Sequence, residues 1–143
     1  MDFSKLERTP NTGELKFFTE NPMVGGMADF NSGTVVINPF KQWKPEERNS
    51  ILTNESMRLF MRHHNVKPKF KLTEEQTNLF SNNRTNNGSD YIDNPTELQE
   101  TIITRILAGD PSSGVATREQ LDIAESLINL LKEKGISGIR GGK

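Results

Sequence analysis

Apolar side chains fall at helical spacing in three stretches of this chain. In Pro45–His64, PEERNSILTNESMRLFMRHH, residues Leu52, Leu59, Phe60 and His63 share one face at the 3.6-residue period, with Ile51 at its border. Pro45 suits the first helical position, and Glu46 and Glu47 complement the positive end of the helix dipole. Arg58, Arg62, His63 and His64 crowd the other end. A second stripe, Leu98, Ile102, Ile103, Ile106 and Leu107, starts from Asn94-Pro95-Thr96-Glu97 and stops at Gly109. A third, Leu121, Ala124, Leu127, Ile128 and Leu131, follows the capping box Thr117-Arg118-Glu119-Gln120 and ends at Gly135. The turn Asp110-Pro111-Ser112-Ser113-Gly114 joins these two, which predicts an αα-hairpin. Thr73-Glu74-Glu75-Gln76 is one more capping box, opening a short helix that closes near Phe80.

The strand signal is confined to Gly33–Asn38, GTVVIN, β-branched and bounded by Gly and by Asn-Pro. Its partner is either the weaker candidate Leu15–Thr19, as a hairpin, or a strand from another chain. Asn38-Pro39-Phe40 and Trp43 form a bulky turn into the first helix, with Trp43 as a packing anchor. Residues 1–32 carry turn and breaker signals at Thr9-Pro10-Asn11-Thr12-Gly13 and Asn21-Pro22, and an apolar patch at Met23–Met27. They read as a disordered tail or as an arm that orders along a partner, and Phe3, Leu6, Leu15, Phe17 and Phe18 are more apolar than a solvated tail requires. The organisation expected is therefore an extended arm over 1–32, a helical domain over 33–134, and a flexible Gly-rich tail over 135–143. The polar stretch Ser81–Asp90, SNNRTNNGSD, is expected to be an exposed loop. The fold class is mainly α: a small helical domain with a C-terminal αα-hairpin, one short β element and an extended N-terminal arm.

Composition narrows the picture further. Only 32% of the 143 residues are hydrophobic and the mean hydropathy is −0.66, so the core is small for the length. The net charge of −1 gives no global electrostatic case for nucleic acid or for anionic membranes. The absence of cysteine excludes disulfides, thiolate-ligated zinc and thiol catalysis. No apolar run reaches the roughly 18 residues of a membrane helix, and MDFSKLERTP carries no apolar signal region. A soluble chain, made and retained in the cytoplasm or in a particle assembled there, is expected.

Two local features bear on chemistry. Glu55 falls inside the apolar stripe of the first helix, between Ile51 and Leu59, where a carboxylate must find a partner or keep its tip wet. Asn54-Glu55-Ser56-Met57-Arg58 has the shape of the zinc-peptidase motif H-E-x-x-H with both histidines replaced. His63 and His64 are adjacent and point about 100° apart on a helix, so the ligand count fails and no metal or other cofactor is expected. Glu55 paired with a nearby arginine, or capping a neighbouring loop, is the simpler reading. Separately, Arg58, Arg62, His63 and His64 join Lys67, Lys69 and Lys71 in the one basic patch, whose bland reading is a solvated face.

The strand with Asn38-Pro39-Phe40, the helix with Asn54-Glu55-x-x-Arg58-Leu59-Phe60-Met61-Arg62, the run ELQETIITRILAGDPSSG and the terminal helix together resemble small, mostly uncharacterised proteins of marine tailed bacteriophages. The likeness spans about residues 28 to 134 and contains no catalytic motif. It implies a virus-encoded product, of a kind commonly built into the virion as decoration, cement, connector or tail protein. The function expected is thus a non-enzymatic virion component, assembled in the host cytoplasm. Its partners would be capsid, portal or tail subunits, with self-association possible and no membrane or nucleic acid. Phe3, Leu6, Leu15, Phe17, Phe18, Val35, Ile37, Phe40 and Trp43 would bind those partners, and truncating residues 1–27 would leave the helices folded while abolishing assembly. The alternatives are an early phage protein that binds a host factor or nucleic acid through the Arg58–Lys71 patch, and a degenerate zinc-peptidase-like domain.

Overall fold

The structure is a computed structural model and describes residues 2–81 and 90–135. It is mainly helical, with one two-stranded antiparallel sheet. The helices are α1 (Thr12–Glu20), α2 (Pro45–His63), α3 (Glu74–Phe80), α4 (Pro95–Leu107) and α5 (Arg118–Lys134). The strands are β1 (Gly26–Asp29) and β2 (Thr34–Ile37), paired Gly26 to Ile37 and Asp29 to Thr34. The polar loop expected over 81–90 and the tail expected over 135–143 lie largely outside the described residues.

The long helix α2 is the element that both the β-hairpin and α4 pack on, and α4 in turn carries α5. Leu52, Met57, Leu59, Phe60 and Met61 of α2 are buried together with Leu98, Ile102 and Ile103 of α4 and Leu127 and Leu131 of α5. β1 crosses α2 so closely that a Cβ on Gly26 would lie 2.7 Å from Ile51 Cγ2 and 3.1 Å from the Val36 carbonyl. That contact is why a strand can be written Gly-Met-Ala-Asp, a composition with little strand propensity of its own.

The first 32 residues depart from the extended arm expected of them. Leu15–Thr19, the weaker strand candidate, lies inside α1, and β2 pairs with β1 instead. α1 starts at a capping box in which Glu14 N donates to Asn11 Oδ1 (2.9 Å) and Asn11 N donates to Glu14 Oε1 (2.9 Å). A helical turn over Ser4–Leu6 seats Phe3 and Leu6 in the main core, and Glu7 then bridges to Val35 along the other edge of β2. Arg8 ties these pieces together. Its guanidinium meets Glu14 at 2.7 Å and Asp29 at 2.9 Å, and its Nε donates to Thr34 Oγ1 at 2.9 Å. The same guanidinium holds the Glu14 carboxyl below the usual carboxylate range. Removing residues 1–27 would therefore strip core side chains, α1 and half of β1, so helices left folded are not the expected result of that truncation.

The two internal capping boxes meet. Thr73 with Gln76 opens α3, and Thr117 with Gln120 opens α5. The two glutamine side chains face each other, fully buried. Gln76 Nε2 donates to Gln120 Oε1 and Gln120 Nε2 donates to Gln76 Oε1, both at 2.8 Å, while each Oε1 also accepts from its own N-cap amide. Gln120 Nε2 reaches the Lys71 carbonyl as well, at 3.3 Å. Gln120→Glu places an acceptor against two acceptors in a dry site, and urea unfolding should show a loss of about 2–4 kcal/mol at neutral pH. The loss should shrink as acid protonates the new carboxyl and restores a donor.

Candidate docking surface

β2 is followed by Asn38, which is buried although polar, and its bonds explain why. The backbone N donates to the Gly25 carbonyl at 2.8 Å. Side-chain Nδ2 donates to the carbonyls of Val24 (2.9 Å) and Pro22 (3.2 Å), and Oδ1 accepts from Phe40 N (2.9 Å). Its carbonyl accepts from Trp43 Nε1 at 2.9 Å. One residue thus joins the turn before β1 to the turn after β2, with every polar atom of its side chain used. Trp43 is half-buried against the core and carries the Lys41 ammonium 4.8 Å over its ring, a cation–π contact.

These joined turns hold two large apolar side chains outward. Met23 is 82% exposed and Phe40 is 57% exposed. More than half of each stays open to solvent among the described residues. Fully burying such a side chain against a partner stabilises the contact by roughly 1.5–3 kcal/mol. Because the backbone beneath is already fixed, docking would order side-chain rotamers but little backbone.

Of the nine residues expected to bind partners, the structure separates three groups. Phe3, Leu6, Phe18, Val35 and Ile37 are buried within the chain, at 7% exposure or less, so they are core residues and not contact residues. Leu15 and Phe17 are half-buried on α1. Phe40 and Trp43 do lie together, on the Asn38 turn. Met23 belongs with them. In the sequence Met23 belongs to an apolar patch and Asn38 to a strand boundary, and no local pattern links them because the bonds that join them cross from one turn to another.

The two arginines of the basic patch are answered from within, while Lys67, Lys69 and Lys71 are exposed. Arg58 Nη1 bonds Glu100 Oε1 at 2.9 Å, Arg62 Nη2 bonds the same oxygen at 3.0 Å, and Arg62 Nε reaches Oε2 at 3.3 Å. At the motif-like stretch, Arg58 Nη2 approaches Asn54 Oδ1 at 3.4 Å, so the positions that would carry ligating histidines lean on each other. Arg58 Nε lies 3.8 Å from Glu55 Oε1, the arginine partner that the sequence suggested. His63 and His64 stack edge to face, and burial, then the neighbouring His63 and Lys134, push His64 below the ordinary imidazole range. Among the described residues no group of three or more histidine or acidic side chains is placed to hold a metal ion, and no helix is long and apolar enough to cross a membrane. Comparison with protein-family models, curated proteins and solved structures finds no match for this chain.

Proposed function

We propose that this chain is a non-enzymatic binding protein, a structural component of a tailed-phage virion that docks onto neighbouring subunits through Met23, Phe40 and the Trp43 turn. The observation that carries the docking role is the Asn38 clamp, which uses a buried polar residue to hold two outward apolar side chains on a fixed backbone. The virion setting rests on the resemblance of residues 28–134 to small phage proteins. The internal pairing of Arg58 and Arg62 with Glu100 gives the nucleic-acid reading less support.

The test is a Met23→Asp, Phe40→Asp double variant carried in the source phage. Surface changes away from structural features shift stability by only about 0.5 kcal/mol, so the isolated variant should melt close to the parent. Quantitative mass spectrometry of purified particles should show the parent at a fixed ratio to the major capsid protein and the variant depleted. A variant present at the parental ratio removes the proposed surface. A parent absent from the particle removes the virion role itself.

A further inference from the structure

Glu55 opens into a cavity of about 470 Å³ that the docking surface does not include. Its side chain is 14% exposed, and among the described residues no hydrogen bond reaches its oxygens; its ion-pair partner, Arg58 Nε, stays at 3.8 Å, beyond hydrogen-bond range. A carboxylate so placed has lost most of its water without gaining a donor, which is costly unless a ligand supplies one. Burial, reinforced by Glu100 and opposed by Arg58 and Arg62, pushes its carboxyl up to about 7.

The surroundings say what kind of group would fit. Arg58 and Arg62 already spend their charge on Glu100, and the Arg62 guanidinium lies 4.1 Å over the Phe30 ring. Glu97 of α4 lines the same cavity. With Glu55 ionised, three carboxylates face two guanidinium groups, and one added positive charge would balance the cluster. Phe17, Met27 and Phe30 give the cavity apolar walls suited to an aliphatic stem. A divalent metal would need more oxygen donors than Glu55 and Glu97 provide. An anion would meet Glu55 directly.

We propose that this cavity binds an alkylammonium group, the chemistry of a lysine side chain or of a small aliphatic amine, with Glu55 as the accepting carboxylate and Phe17, Met27 and Phe30 around the stem. The inference does not rest on the Met23–Phe40 surface, and either can fail alone.

The proton competes with such a ligand for Glu55. The groups facing Glu55 are Arg58 and Arg62 on its own helix, Glu97 and Glu100 on α4, and Tyr91 ahead of α4; β1 brings Met27 and Ala28, and α1 brings Phe17, none of them ionisable. The guanidinium groups and the amine stay charged across neutral pH. Raising the pH therefore frees the carboxylate and strengthens binding.

The experiment is an NMR titration of the full chain, following the Met27 methyl, the Phe30 ring and the Glu55 carboxyl carbon. The probes are n-butylammonium chloride and Nα-acetyl-lysine amide, with potassium chloride as the ionic-strength control. Saturable shifts are expected with both amines and not with potassium, and Glu55→Gln should weaken binding at least tenfold. For the parent, apparent affinity at about pH 5.5 should be about 30-fold weaker than at about pH 8.5, from a carboxyl that titrates near 7. This second measurement decides the matter even if the variant does not fold. Tighter binding of the lysine amide assigns the site to a partner's side chain, and equal or tighter binding of butylammonium assigns it to a free amine. No saturable shift, a response that potassium reproduces, or affinity unchanged with pH overturns the proposal.

Discussion

Leu6→Ala should lower the unfolding free energy of the isolated chain by about 2–5 kcal/mol, the range for truncating a fully buried leucine. Leu6 has no exposed surface and sits with Phe3 in the main core cluster, beside strand and helix residues from much later in the chain. An N-terminal arm that ordered only along a partner would behave differently, since a truncated side chain there would leave the isolated chain's stability within about 0.5 kcal/mol of the parent. Urea unfolding of the two proteins separates these outcomes in one experiment. The change should come in the midpoint, with the slope preserved, because the chain still unfolds from a similarly compact state. An unchanged midpoint would mean that residues 2–8 do not hold the core positions described.

The second large effect is expected at Glu100. Its carboxylate is 6% exposed and accepts from both Arg58, 13% exposed, and Arg62, 45% exposed. Glu100→Ala leaves Arg58 with its charge largely desolvated and only the longer 3.8 Å ion pair to Glu55 and two 3.4 Å contacts to Asn54 and Thr101, and should destabilise by about 3–5 kcal/mol. Arg62 reaches water, so its share of the loss is small. If the cost arises from an orphaned charge, removing that charge should recover it. Glu100→Leu combined with Arg58→Met should lie much closer to the parent than Glu100→Ala does. A double variant as unstable as the single would assign the cost to packing instead.

The parts of this fold written in local patterns were legible. α2, α4 and α5 follow from apolar residues at the 3.6-residue period, and the boxes at Thr73 and Thr117 mark helix starts where the structure has them. β2 was legible for the same kind of reason, a β-branched run between breakers. α1 was not read, although its signal was present: Asn11 and Glu14 are spaced as a capping box, but Leu15, Phe17 and Thr19 alternate like a strand. β1 could not be read, because its glycine is there for the close approach of Ile51, a residue 25 positions away in sequence. Glu55 was conspicuous as a carboxylate in an apolar stripe. Its neighbours Glu97 and Glu100 were not, since only the packing of α4 on α2 brings them near. Gln76 and Gln120 were each visible as capping residues, and nothing local says that they meet.

Asn38 divides labour between residues in a way that bears on how such a surface can change over time. The side chains presented at positions 23 and 40 make no contribution to the clamp, which draws on the backbone of 22, 24, 25 and 40 and on the side chain of 38. Substitutions at the two display positions can therefore be sampled one at a time without first loosening the scaffold. A lineage facing an altered partner could re-tune its fit by single codon changes, while position 38 would stay under constraint. The turn is a socket with exchangeable fittings.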